Sequence, residues 1–137
     1  MIKFYFRKLV GDKVVKRSLV DPKILEIKYR VLEGLEYRAE LFRRVSEEVA
    51  EIPLEDDFRR DEALGEIADL QNSVDALRKD YGFSEAEVRI VAERKIIKNG
   101  GYANKYFVEY VTLADDSEWI EIFRQQPDKY QEEIVQN

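Results

Sequence analysis

Apolar residues recur with a helical period through the middle of the chain. Leu35, Ala39, Phe42, Val45, Val49 and Ile52 succeed one another in steps of four, three, three, four and three, which draws one stripe on a helix. That stripe predicts a helix from Glu33 or Glu36 to Ile52. Pro53 ends it, because the residue before a proline avoids the α region. Leu54 to Arg60 is an acidic connector with Glu55, Asp56 and Asp57, and Asp57 or Asp61 is available to cap the next helix. A second stripe, Ile67, Leu70, Val74, Leu77 and Tyr81, predicts a helix from about Asp61 to Tyr81, stopped by Gly82. Ser84 with Glu87 three residues on is a capping box. It opens a third helix to about Lys98, ended by Gly100-Gly101.

The flanks are less regular. Ile2, Phe4 and Phe6 alternate with Lys3, Tyr5 and Arg7, a strand pattern. The next segment allows two readings: a hairpin around Gly11-Asp12, or a short helix capped by Asp12. Ile27 to Leu32 reads as a short extended piece, and Tyr102 to Leu113, rich in aromatics and Val, as another. Asp115 to Asn137 is polar and predicts two helical pieces, with Pro127 as a first-turn residue. No internal repeat, linker or composition shift divides the sequence. The expectation is one domain over 1–137, with 1–32 as an N-terminal segment and 115–137 as a C-terminal extension.

Composition narrows the chemistry. With 137 residues, 45% hydrophobic and 38% charged, the chain reads as a small globular domain whose core would gain from assembly. No apolar run is long enough to span a bilayer, and Met1 to Phe6 does not resemble a signal peptide, so a cytoplasmic location is expected. There is no cysteine and no histidine. Disulfides, thiolate nucleophiles, Cys/His zinc sites and histidine-based triads are therefore excluded. Acid-base work falls to carboxylates, Lys or Tyr, and any metal would sit among oxygens, which favours Mg²⁺ or Mn²⁺. The net charge of −6 argues against a nucleic-acid polymer as partner.

Two acidic segments stand out: Glu47-Glu48-Val49-Ala50-Glu51 and Glu66-Ile67-Ala68-Asp69. Each carries acids at i and i+3, which lie on one helix face. At about 100° per residue, Glu48 lies roughly 40° from Ile52, and Glu66 roughly 20° from Leu77. Both pairs thus flank their stripes. If the two helices pack antiparallel through those stripes, four carboxylates meet beside the seam. Four clustered anions repel, and partial burial adds to the cost. A hard divalent cation resolves the conflict and leads to phosphoryl or pyrophosphoryl chemistry. In a chain with 29 acidic residues the same spacings also arise on solvated faces, and spacing alone does not separate the readings.

Read in order, further segments carry a resemblance. The pattern EExxE, a gap, then ExxD is similar to the signature of the all-α, MazG-like nucleoside triphosphate pyrophosphohydrolases. Lys8-Leu9-Val10-Gly11-Asp12-Lys13 resembles the KLVRDK opening of their phosphoribosyl-ATP pyrophosphohydrolase-like branch. Tyr29 to Leu32, Glu36-Tyr37 and Val45 to Val49 resemble its run into the first acidic motif. Glu66 to Leu70 resembles ELADV, and Lys95 through Lys98-Asn99-Gly100-Gly101-Tyr102 resembles its KxxxRGGF ending. The order holds over residues 8 to about 111. Gly11 and Asn99 depart from it, each standing where the branch has Arg.

The resemblance implies an all-α, MazG-like antiparallel helical bundle, preceded by a short extended segment or hairpin, that forms dimers or dimers of dimers. The implied reaction is hydrolysis of a nucleoside triphosphate to the monophosphate and pyrophosphate, in nucleotide-pool house-cleaning. By position, Glu48, Glu51, Glu66 and Asp69 would bind Mg²⁺, with Mn²⁺ as a substitute. Glu47, Glu48 and Glu51 would form the catalytic group, Glu47 orienting water. Arg44, Lys95 and Lys98 are the candidate phosphate contacts, although Lys95 and Lys98 also suit the dipole of a last helical turn. Asn72 is the candidate to read a base edge. The competing expectation is a catalytically silent module of the same fold that binds a nucleotide or a protein partner, favoured by Gly11 and Asn99.

Overall fold

The computed structural model describes residues 1–135, which are all-helical with no strand among them. The helices are α1 (Asp12–Val20), α2 (Gly34–Glu51), α3 (Arg60–Asp80), α4 (Glu85–Asn99) and α5 (Trp119–Arg124). The all-α expectation holds. Two compact units emerge, Met1–Ile97 and a second from Lys98 onward.

Local signals fix most helix ends. Ile52, before Pro53, is extended (φ −68°, ψ 123°) and ends α2, as the proline demands. At the end of α3, Gly82 takes φ +77°. Its N–H donates to the Lys79 carbonyl at 2.9 Å, and the Phe83 N–H donates to the Arg78 carbonyl at 3.2 Å, the two bonds of a Schellman cap. Arg78 Nη1 donates to the Phe83 carbonyl at 2.6 Å and braces the turn. The capping box forms in both directions: the Glu87 N–H donates to Ser84 Oγ at 3.2 Å and the Ser84 N–H to Glu87 Oε2 at 2.7 Å. A Cβ at position 82 would meet nothing within 4 Å, so only the left-handed backbone penalises a side chain there. Gly82→Ala is therefore expected to destabilise the chain by about 1 kcal/mol, and Gly82→Asn by less, read from urea midpoints.

Other expectations are corrected. Between hairpin and helix at Gly11-Asp12, the chain forms the helix, with Gly11 as N-cap and Asp12 inside the first turn. Likewise neither Asp57 nor Asp61 caps α3. Arg59 occupies the N-cap without a side-chain bond, and Asp61 and Glu62 sit in the first turn, where they favour the positive end of the dipole. The alternating Ile2, Phe4 and Phe6 form no strand, nor do Ile27–Leu32 and Tyr102–Leu113, because alternation yields a strand only against a partner. The N-terminal segment is tethered instead by Arg43 Nη2, which donates to the Arg7 carbonyl at 2.7 Å. Between Asp115 and residue 135, the last described, one helix forms where two pieces were expected over 115–137, whose last two residues lie outside the described ones. Pro127 lies in a turn, and Trp119, Phe123 and Tyr130 cluster with ring centroids 5.8 and 4.6 Å apart.

The first unit is built on α2 packed against α3. Arg38 near the start of α2 bonds Asp80 at the end of α3 (Nε to Oδ2, 2.6 Å), so the pair is antiparallel. The Arg38 guanidinium also lies 4.1 Å from the centroid of the Tyr81 ring. Which faces meet is a correction. The seam buries Leu41 and Glu48 of α2 and Ala63 and Ser73 of α3. The seam takes only part of each apolar stripe: Val45, Ile52, Leu70 and Leu77 are half-buried, whereas Leu35 is 80% exposed, Phe42 50%, Val49 53%, Ile67 52% and Val74 42%.

Candidate metal centre

Glu48 lies in the middle of the α2–α3 seam, 1% exposed, rather than on its edge. Glu51, one turn on, is exposed, and Glu66 on α3 is half-buried. One carboxylate oxygen from each of Glu48, Glu51 and Glu66 lies within 4.8 Å of the others. Antiparallel packing brings them together: the C-terminal turns of α2 face the N-terminal half of α3. Asp69 is exposed on α3 and not part of this trio, but its charge reaches Glu66.

The electrostatics are those of a crowded anion site. Burial, first, and then the neighbouring Glu51 raise the pKa of the Glu66 carboxyl, with further pushes from Asp69 and Glu48. Both oxygens of Glu48 and Oε2 of Glu66 are buried without a hydrogen-bond donor. Arg44 Nη2 lies against Glu48 Oε1 as an ion pair, off hydrogen-bond direction. Buried carboxylate oxygens without donors are costly and rare. Three convergent carboxylates, two of them (Glu48 and Glu66) with buried oxygens lacking a donor, and neither nitrogen nor sulfur in the set, form a group able to hold a hard metal ion.

Glu47 is half-buried beside Glu48 and pairs with Arg44 (3.5 Å) and Arg43 (3.9 Å). Asn72 is exposed on α3, next to the buried Ser73. Lys95 and Lys98 are exposed on α4 and form no ion pair among the described residues. Gly11 is the N-cap of α1, and Asn99 the last residue of α4. Arg44, expected at a phosphate, contacts Glu48, a partner that sequence reasoning misses. Their i, i+4 spacing is the available signal. A shallow depression in the second unit is lined by Asp115, Asp116, Glu118 and Glu121. These acids are exposed or half-exposed and none has an orphaned buried oxygen, as expected of solvated acids.

No helix among the described residues is long and apolar enough to cross a membrane. Compared with known protein families, curated proteins and solved structures, the chain has no match.

Proposed function

We propose that the chain is a Mg²⁺-dependent pyrophosphohydrolase acting on a nucleoside triphosphate, with Glu48, Glu51 and Glu66 as the metal-binding core and Asp69 beside it. The observation that carries this reading is the fully buried Glu48, its Oε2 without a donor and its Oε1 met by the Arg44 ion pair, converging with Glu51 and Glu66. The resemblance in order and spacing over residues 8 to about 111 supplies the reaction class. Bound there, a divalent cation would polarise phosphate oxygens and acidify water.

The chain's own residues would then divide the work. Glu48, held rigidly in the seam, fixes the position of the ion. Glu51, the exposed member, is placed to accept the proton of the attacking water, a role that falls to a carboxylate where histidine is absent. Glu47 orients that water from the neighbouring position. Water adds to phosphorus, the α–β anhydride bond breaks, and pyrophosphate leaves. Arg44 and Lys95 are the cations proposed for the phosphates, and Asn72 the residue proposed for the base.

The same proposal includes self-association. Leu35, Phe42 and Val49 on α2, and Ile67, Val74 and Tyr81 on α3, are exposed and spaced by seven residues. Heptad spacing of apolar residues is the pattern of a helix–helix seam. A second copy of the chain, laying its own α2–α3 pair on this face, completes a four-helix bundle.

The test is a panel of canonical and modified nucleoside triphosphates with Mg²⁺, assayed for pyrophosphate against orthophosphate. Pyrophosphate and monophosphate in equal amounts, abolished by EDTA, are expected. Orthophosphate as the sole product would overturn the assignment. The second reading, a silent binding module, is favoured by Gly11 serving as a helix cap and Asn99 as a helix end, at the two positions where the resemblance has Arg. Nucleotide-dependent thermal stabilisation without turnover would select it.

A further inference from the structure

Arg44 is no metal ligand, yet it touches the most deeply placed of the three carboxylates. Its Nη2 pairs with Glu48 Oε1, and its Nη1 lies 3.5 Å from Glu47 Oε2. The side chains are graded in exposure: Glu48 1%, Arg44 28% and Glu47 38%. The guanidinium thus bridges a buried carboxylate and one at the surface. Among the described residues it is the cation paired with Glu48, while Arg43 pairs with Glu40 and Glu47.

We propose that Arg44 is an internal counter-cation that competes with a divalent ion for Glu48, so that the ion's arrival shifts the guanidinium onto Glu47 at the surface. This rests on the metal reading above. Two positive groups cannot share one carboxylate oxygen at contact distance in a partly desolvated seam, where charges are poorly screened. An ion coordinated through Oε1 of Glu48, the oxygen that Arg44 holds, therefore displaces Arg44. The displaced side chain does not have to find a new partner, because Glu47 already lies within reach and needs only a rotamer change. Arg44 also brings a positive group into a cluster of three acids, one of them buried, where an unpaired anion is costly. The arrangement tunes metal affinity downward and couples ion entry to release of a guanidinium, whose planar fork suits phosphate oxygens.

The test is Mn²⁺ affinity, measured through the loss of the free-ion electron paramagnetic resonance signal on titration. Arg44→Gln is expected to bind Mn²⁺ roughly tenfold more tightly than the native chain, as for removal of a competitor coupled to the same ligand. In EDTA the same variant is expected to melt lower, with the difference closing at saturating Mn²⁺. Glu47→Gln removes the resting place and is expected to weaken Mn²⁺ binding, although Glu47 is no ligand in this arrangement. Arg44→Lys keeps the charge without the fork and is expected to fall between native and Gln. If Arg44→Gln does not fold, Arg44→Lys and Glu47→Gln decide the matter. Native-like or weaker Mn²⁺ binding by a folded Arg44→Gln would overturn the proposal while leaving the metal reading intact. Failure of native chain and variants alike to bind Mn²⁺ would remove both.

Discussion

Glu66→Gln is expected to melt higher than the native chain in EDTA and to lose the stabilisation that Mg²⁺ gives the native chain. The two effects have one cause. Glu66 is half-buried beside Glu51, Asp69 and Glu48, and burial and those charges raise its pKa. A carboxyl with a raised folded-state pKa binds its proton more tightly folded than unfolded. Its contribution to stability is present at acid pH and lost as pH rises through the folded-state value. Above the folded-state value the charge therefore works against folding, and a neutral glutamine of the same shape relieves it. With Mg²⁺ the ranking reverses, because the ion converts the repulsion into coordination. At a free ion concentration 100-fold above its dissociation constant, the native chain gains about 2.7 kcal/mol, a rise of roughly 5–15 °C for a chain of this size. The variant, short of one ligand, gains little. On the metal reading, kcat/KM falls at least about 100-fold with it, since a metal contributes several kcal/mol to the transition state. Thermal melts of both proteins at pH 7.5, with EDTA and with Mg²⁺, decide it. Equal melting temperatures in EDTA and equal responses to Mg²⁺ would mean that Glu66 is a solvated surface acid.

The features legible in the sequence are those with short-range causes. Ser84 and Glu87 satisfy each other's backbone within one turn, Gly82 accepts a backbone other residues resist, and Pro53 constrains its immediate predecessor. Each needs only neighbours, so each can be read from neighbours. The i, i+3 spacing of Glu48 with Glu51 belongs to the same class. Anything set by tertiary contact escapes such reading. The Arg38–Asp80 pair joins residues far apart in the chain. The burial of Glu48 runs against its type, since charged residues are almost never fully buried unless paired, and periodicity counts it as an edge position. At the N-terminus the failure is of another kind. Ile2, Phe4 and Phe6 carry the alternation of a strand, but a strand is a relation between two segments, and no second segment pairs with them among the described residues.

Phe42→Glu is expected to reduce the solution mass to a single chain of 16.2 kDa, where the native chain is expected at a multiple of it. Phe42 is 50% exposed at the centre of the Leu35–Phe42–Val49 row. Burying its ring against a second copy contributes about 2 kcal/mol. In a two-fold assembly the residue enters the interface twice, so its loss costs about 4 kcal/mol, or roughly 10³ in dissociation constant. The introduced carboxylates add desolvation to that cost. The inner seam is untouched, because Leu41, Glu48, Ala63 and Ser73 are buried there while Phe42 is not. The effect therefore separates assembly from folding: helicity by circular dichroism at high protein concentration should survive better than the mass does. Light scattering across the micromolar range checks the outcome. A native chain that stays at 16.2 kDa throughout would sink the second-copy reading and require another partner for the face. A second copy would also account for the exposed members of the apolar stripes, Leu35, Phe42, Val49, Ile67 and Val74. A helix that must bury two faces places its most regular apolar row where the larger, repeated interface forms.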